Sequence, residues 1–327
     1  MSGLSRRALL SGAAAAALVP RRLAAPPAPA RARVVVAAES DRARAIAACL
    51  GALDFEACAG RDVAVKANYN SADPFPASTH PETLAALLRE LRARRAQRFT
   101  LAERSGMGDT RRVLERTGAA AVVTAAGGGV VVLDEVERGG WRPFTAEHWP
   151  NGLWASRAFT DGACAVQTMC CKTHRFGGHV TLALKNSVGL LAKRVPDAGH
   201  DFMRDLHGSP HQRAMIAEAN LAWRPGVSIM DCLEAFVDGG PESGTRVAPG
   251  VFLASTDRCA LDAAAIALLR LHGMRGPAAQ GPIGRTDQLA RALALGVGAP
   301  PERVEVVAVG SGAREIARRV ADELARG

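Results

Sequence analysis

The stretch from Cys170 to Gly189 concentrates side chains that move protons and hold charge: Lys172, His174, Arg175, His179, Lys185 and Asn186, with Gly177 and Gly178 between them. Histidine titrates near neutrality, so His174 suits a general acid or base. Lysines set among apolar neighbours focus positive potential, which suits Lys172 and Lys185 to a carboxylate or phosphate and to a share in catalysis. A glycine turn ahead of a helix start leaves backbone N–H groups free, so Gly177 and Gly178 are placed to receive an anion that Asn186 would orient. For each residue alone the plainer reading is a helix cap or a buried hydrogen bond. Polar groups at this density are costly to bury without purpose.

The elements around this stretch alternate in an α/β pattern. Apolar runs at 34–37, 62–66, 98–102, 120–124, 130–133, 163–170, 227–230, 251–254 and 304–309 read as strands, and periodic segments at 41–50, 81–95, 181–193, 258–271 and 286–295 read as helices. Ser78 or Thr79 is expected to cap the second helix, with Pro81 in its first turn. Strand, polar loop and helix in repetition predict a mostly parallel sheet with helices on both faces, in one composite domain. Ligands of such sheets sit beyond the carboxyl ends of the strands. That rule puts Lys66, Asn68, Asn70 and Glu103 on one rim as substrate-binding candidates, and Asp231 and Asp257 at strand ends as candidates for a divalent metal. Asp257 reads equally well as a helix N-cap. His207 and His211 have metal-pair spacing, but Pro210 between them keeps the two off one regular helix.

The chain of 327 residues carries a formal charge of +9, of which residues 1–32 supply five arginines and no acid. The rest is close to balanced, and a single tyrosine offers no stacking platform, so nucleic acid is not an expected partner. Paired Arg6 and Arg7 ahead of a short alanine-rich run resemble a twin-arginine export signal, which divides the chain into a signal over 1–32 and an α/β domain over 33–327. A basic tail with a chance Arg-Arg is the alternative. The apolar run is too short for a stable membrane span. If the signal operates, the export machinery is a partner and the protein ends in the periplasm or outside the cell. Seven irregularly spaced cysteines make no disulfide framework and leave at least one free thiol, and Cys170-Cys171 reads as the buried end of a strand.

Val65-Lys66-Ala67-Asn68, Thr79-His80-Pro81-Glu82, Lys172-Thr173-His174, Leu184-Lys185-Asn186 with Gly189, Asp231, Gly239-Gly240-Pro241, and Asp257 with Asp262 together resemble the bacterial and archaeal family catalogued as domain of unknown function 362. The resemblance implies an α/β fold and brings no settled activity. Some members carry cysteine-rich iron-sulfur modules; the absence of such cysteines here means no iron-sulfur cluster is expected. His174, Gly177-Gly178 and Lys185 also look like the motif of lactate racemase-type proteins, which handle small 2-hydroxy acids with a nickel cofactor. The function expected is an exported enzyme acting on a small anionic molecule at a Lys/His/Asp site. The alternative is a non-catalytic binding protein for an anion or a divalent metal.

Overall fold

The structure, a computed structural model, describes residues 20–23, 30–176, 179–197, 199–310 and 312–326. Residues 1–19, which hold the Arg6-Arg7 pair, and Gly177 and Gly178 therefore lie outside the described residues. Eight strands form the spine of the main sheet: β1 Ala32–Ala37, β2 Val63–Lys66, β3 Phe99–Glu103, β4 Gly129–Val132, β5 Cys164–His174, β6 Val227–Gly239, β7 Val251–Ser255 and β8 Val304–Val309. Their spatial order is β8-β1-β7-β6-β5-β2-β3-β4, and every neighbouring pair is parallel except the two made by β7. Two short strands, His179–Thr181 on β5 and Gly244–Val247 on β6, extend the sheet antiparallel near the site.

Why the strands read as unbroken apolar runs is visible in β1. Val34 and Val36 face one core, Val35 and Ala37 the other, so both sides of the strand are buried. One face is covered by α1 Arg42–Ala52 and α2 Pro81–Ala93, through Ile46, Leu50, Leu84 and Leu87. The opposite face is covered by α4 Arg258–Leu271 at one end, and at the other by a third core built on Trp141, Trp149, Phe159 and Trp223. This places α-helices on both faces of a mostly parallel sheet, as expected.

The chain departs from expectation at several places. Residues 120–124 are not a strand: Ala119–Ala125 is a helix that starts after Gly118 in the left-handed region, and alanine propensity outweighs the two valines. The second helix is capped by His80, whose Nδ1 accepts from the Glu82 N–H, while Thr79 Oγ1 accepts from the Asn68 N–H and ties the rim loop down. The helix expected over 181–193 is only α3 Ala183–Asn186 followed by a 3-10 turn over Ser187–Leu190. His207 lies in Phe202–Gly208 and His211 immediately precedes the next helix, Gln212–Ala219, so the proline does separate them. Outside the main sheet, Arg21 and Arg22 pair with Phe144 and Thr145 of the strand Trp141–Thr145, which pairs in turn with Leu153–Ser156.

Candidate functional site

From β2 the chain steps outward to β3 and β4, then returns to the other side of β2 with β5. Carboxyl-end loops diverge at such a reversal and open a crevice. There, Lys66 ends β2, Glu103 ends β3, and Lys172 and His174 end β5. A cavity of about 280 Å³ lies between them, and its lining includes Lys66, Asn68, Asn70, Glu103, Lys172, His174, Lys185 and Asn186. Eight separately placed candidates are thus brought to one pocket.

Within it the residues divide into two groups. Lys66 Nζ reaches both Glu103 carboxylate oxygens at 2.9 and 2.8 Å, the Ala67 carbonyl, and Asn186 Oδ1 at 3.3 Å. Glu103 also accepts from the Ala67 N–H. Burial pushes Lys66 down and Glu103 up, and each charge opposes the other's shift. Both groups line the pocket, and their hydrogen bonds go chiefly to each other and to the neighbouring backbone. Asn186 is held by the same network: its amide donates to Gln167 Oε1, and Gln167 donates to Ser228. Asn70 is likewise a loop fastener, its side-chain oxygen accepting from Gly106 N and its carbonyl from Met107 N and the Ser105 hydroxyl.

The second group is positive and forms no direct ion pair among the described residues. Lys172, fully buried, donates to the carbonyls of Ala77 and Pro241. Arg104, which follows the β3 end, is buried and donates to the carbonyls of Leu191 and Val188 at 2.7 and 2.6 Å. The Lys185 ammonium has no hydrogen-bond or ion-pair partner among the described residues. None of the three cations forms an ion pair with a carboxylate among those residues. Burial, reinforced by Lys172 and Arg104, pulls Lys185 down to about 8; burial pulls Arg104 to about 10. His174 falls to about 2 through burial and the charges of Lys185 and Lys172, so its ring is neutral. Its Nδ1 faces the Phe176 N–H at 3.2 Å, which leaves the proton on Nε2. Asn68 Oδ1, the Tyr69 hydroxyl and Thr181 Oγ1 are buried here with no partner among the described residues.

Arg104, Tyr69 and Thr181 were not among the sequence candidates. Arg104 was within reach of the rim rule, being adjacent to Glu103. Asp262 was also passed over as a positioning group: from α4 it accepts the Ala183 and Leu184 N–H groups at 2.7 and 3.2 Å and so holds the start of α3, which carries Lys185 and Asn186. Burial raises it to about 7.

Asp231 and Asp257 do not join the pocket. Asp231 takes Arg42 at 3.0 Å and the Thr83 hydroxyl at 2.6 Å, and Asp257 caps α4 while accepting from Ala299 N at 2.8 Å. Their oxygens are committed to other donors, which corrects the metal assignment. A bare divalent cation would meet three positive groups in the pocket, and the carboxylate in its lining, Glu103, is already paired with Lys66, so nickel or another such ion does not fit there. Glu147, His148 and Glu218 elsewhere bring ligand atoms within 4.8 Å of one another, yet Arg291 bridges the two carboxylates at 2.5 and 2.6 Å and takes the place of a cation.

Among the described residues no helix is long and apolar enough to cross a membrane. No curated protein matches the chain. Among solved structures, the lactate racemase apoprotein from Thermoanaerobacterium thermosaccharolyticum is similar at 14% identity with a TM-score of 0.43; 73% of this chain is covered, and it spans 59% of that one. A family model described as Domain of unknown function (DUF362) matches residues 63–267. That span holds every pocket residue from Lys66 to Pro241, and by this match the chain belongs to the DUF362 family.

Proposed function

We propose that the protein binds a small anionic molecule in this pocket and acts on it by proton transfer. The observation that carries the reading is the set Lys172, Lys185 and Arg104, buried or half-buried cations with no ion-paired carboxylate among the described residues. Uncompensated buried charge is expensive, and an anionic ligand offsets it. Lys185, held near 8, is the proton-transfer group: a general base works best when its pKa lies near the operating pH. His174 in its present tautomer is a donor from Nε2, suited to a ligand oxygen rather than to taking a proton. Lys66, Glu103 and Asn186 form the rigid wall, and Asn68 and Thr181 add polar side chains to the lining.

Calorimetric titration with inorganic phosphate and a panel of small carboxylates tests the binding. Lys185→Met is expected to lower affinity at least about tenfold, the cost of losing one charge-assisted contact in a buried site. Unchanged affinity in that variant sinks the reading. Proton transfer is read separately, as solvent deuterium appearing in a bound carboxylate with the wild-type protein and not with Lys185→Met.

Export belongs to the same proposal. Cys58 and Cys164 form a disulfide, and disulfides persist chiefly in oxidising compartments, which supports a periplasmic or extracellular location.

A further inference from the structure

Polarity is graded along the pocket. Its most buried lining, the floor, includes Lys172, which is fully buried, with Asn68 and Thr181 also buried. Val188 and Pro241 add apolar surface to the lining. At the mouth stand Met107 and Phe176, 47% and 50% exposed, the two large hydrophobic side chains left exposed among the described residues. A single exposed hydrophobic residue is ordinary and carries no message. Here both lie on one cavity, although they come from different loops, one after β3 and one after β5.

Their backbones are fixed rather than loose. The Met107 N–H donates to the Asn70 carbonyl at 2.9 Å, and the Phe176 N–H donates to His174 Nδ1 at 3.2 Å. The Arg175 guanidinium lies 4.4 Å from the centre of the Phe176 ring. The loops therefore hold two apolar surfaces in water beside a cationic floor. A small hydrophilic ion such as phosphate would fill the floor and leave both surfaces wet.

We propose that the anion bound here carries an apolar substituent, aryl or branched alkyl, which runs from the cationic floor to the mouth and covers Met107 and Phe176. The ligand class is an amphiphilic monocarboxylate rather than a compact polyanion. The inference rests on the anion-pocket reading above and adds to it the substituent.

The experiment is calorimetric titration of the whole protein at pH 7 with acetate, 3-phenylpropionate and 3-phenylpropan-1-ol. The acid with the phenyl group is expected to bind at least about tenfold more tightly than acetate, because it removes the exposed apolar area from water. It should exceed the uncharged alcohol by at least a similar factor, because only the acid meets the lysines. Replacing both mouth residues, Met107→Ser with Phe176→Ser, should bring 3-phenylpropionate down to the level of acetate. Both positions are half exposed, so a thermal melt matching wild type is expected of this variant. Equal affinity for the two acids, or a preference that survives the double replacement, overturns the substituent and leaves the anion pocket standing. Binding of the alcohol as tightly as the acid overturns the anion pocket and makes the site an apolar cleft. No binding of either acid overturns both.

Discussion

Lys185 sits at a compromise between stability and binding that can be read from its protonation. In water its amine would hold a proton up to about pH 10.5, whereas in the folded chain it does so only to about 8, because burial and the neighbouring Lys172 and Arg104 oppose the charge. Between those values the unfolded chain binds more protons than the folded one, so stability from this residue rises with pH through that window and is lowest below 8. Lys185→Met should therefore stabilise the ligand-free protein at pH 7, by up to about 3 kcal/mol, as read from urea denaturation midpoints. The same residue fixes the sign for binding. Anion affinity should be flat below about pH 7 and fall as pH rises through 8, while Lys185→Arg, charged throughout, should show no such fall. A profile that rises with pH, or one shared by both proteins, would remove Lys185 from the binding site. Residue types and spacing revealed this lysine and its neighbours as a group, but not which were spent. Lys66 and Lys172 look alike in sequence; only the fold puts Glu103 against the first and bare carbonyls against the second.

Elements buried on both faces were legible where their apolar runs are unbroken, as in residues 34–37 of β1 and 251–254 of β7. The short helices were not: Ala119–Ala125 mixes alanine with valine over seven residues, too few for a period to declare itself. The turn Ser187–Leu190 was missed for a different reason, since it exists to fit the ion pair beneath it. A Cβ at Gly189 would lie 2.7 Å from both Cε and Nζ of Lys66. Gly189 has ordinary backbone angles, so in isolation Gly189→Ala would gain about 0.5–1 kcal/mol from reduced chain entropy. Removing one partner of a buried pair costs about 3–5 kcal/mol, and pushing the Lys66 ammonium aside from Glu103 costs a part of that. The second magnitude wins, and Gly189→Ala is expected to destabilise the protein by a few kcal/mol on chemical denaturation. A neutral or stabilised variant would show that the Lys66–Glu103 wall is compliant rather than rigid.

At the scale of the whole molecule, the cysteines could not be paired from their spacing because the partners are 106 residues apart and meet only through the sheet. Cys164 opens β5, and Cys58 lies in the turn leading into β2, the strand beside it. The bridge thus clamps the amino ends of the two strands whose carboxyl ends build the pocket. Cys49, Cys170, Cys171, Cys232 and Cys259 remain thiols, all buried, so the vicinal pair is strand core as its sequence suggested. Burial pushes the Cys49 and Cys170 thiols up to about 12, which makes them poor nucleophiles and poor oxidation targets. A closed loop of this length contributes about 4–5 kcal/mol by chain entropy, so Cys58→Ser with Cys164→Ser should lower the denaturation midpoint strongly. The pocket lies at the far end of those strands, so anion affinity measured well below that midpoint should stay within about threefold of wild type, as expected for sites that do not share partners. Protein recovered from an oxidising compartment should release five thiols to a labelling reagent when denatured and seven after reduction, with none labelled while folded. Seven thiols before reduction would show that the two strands are held together without the bridge, and would withdraw the support it lends to export.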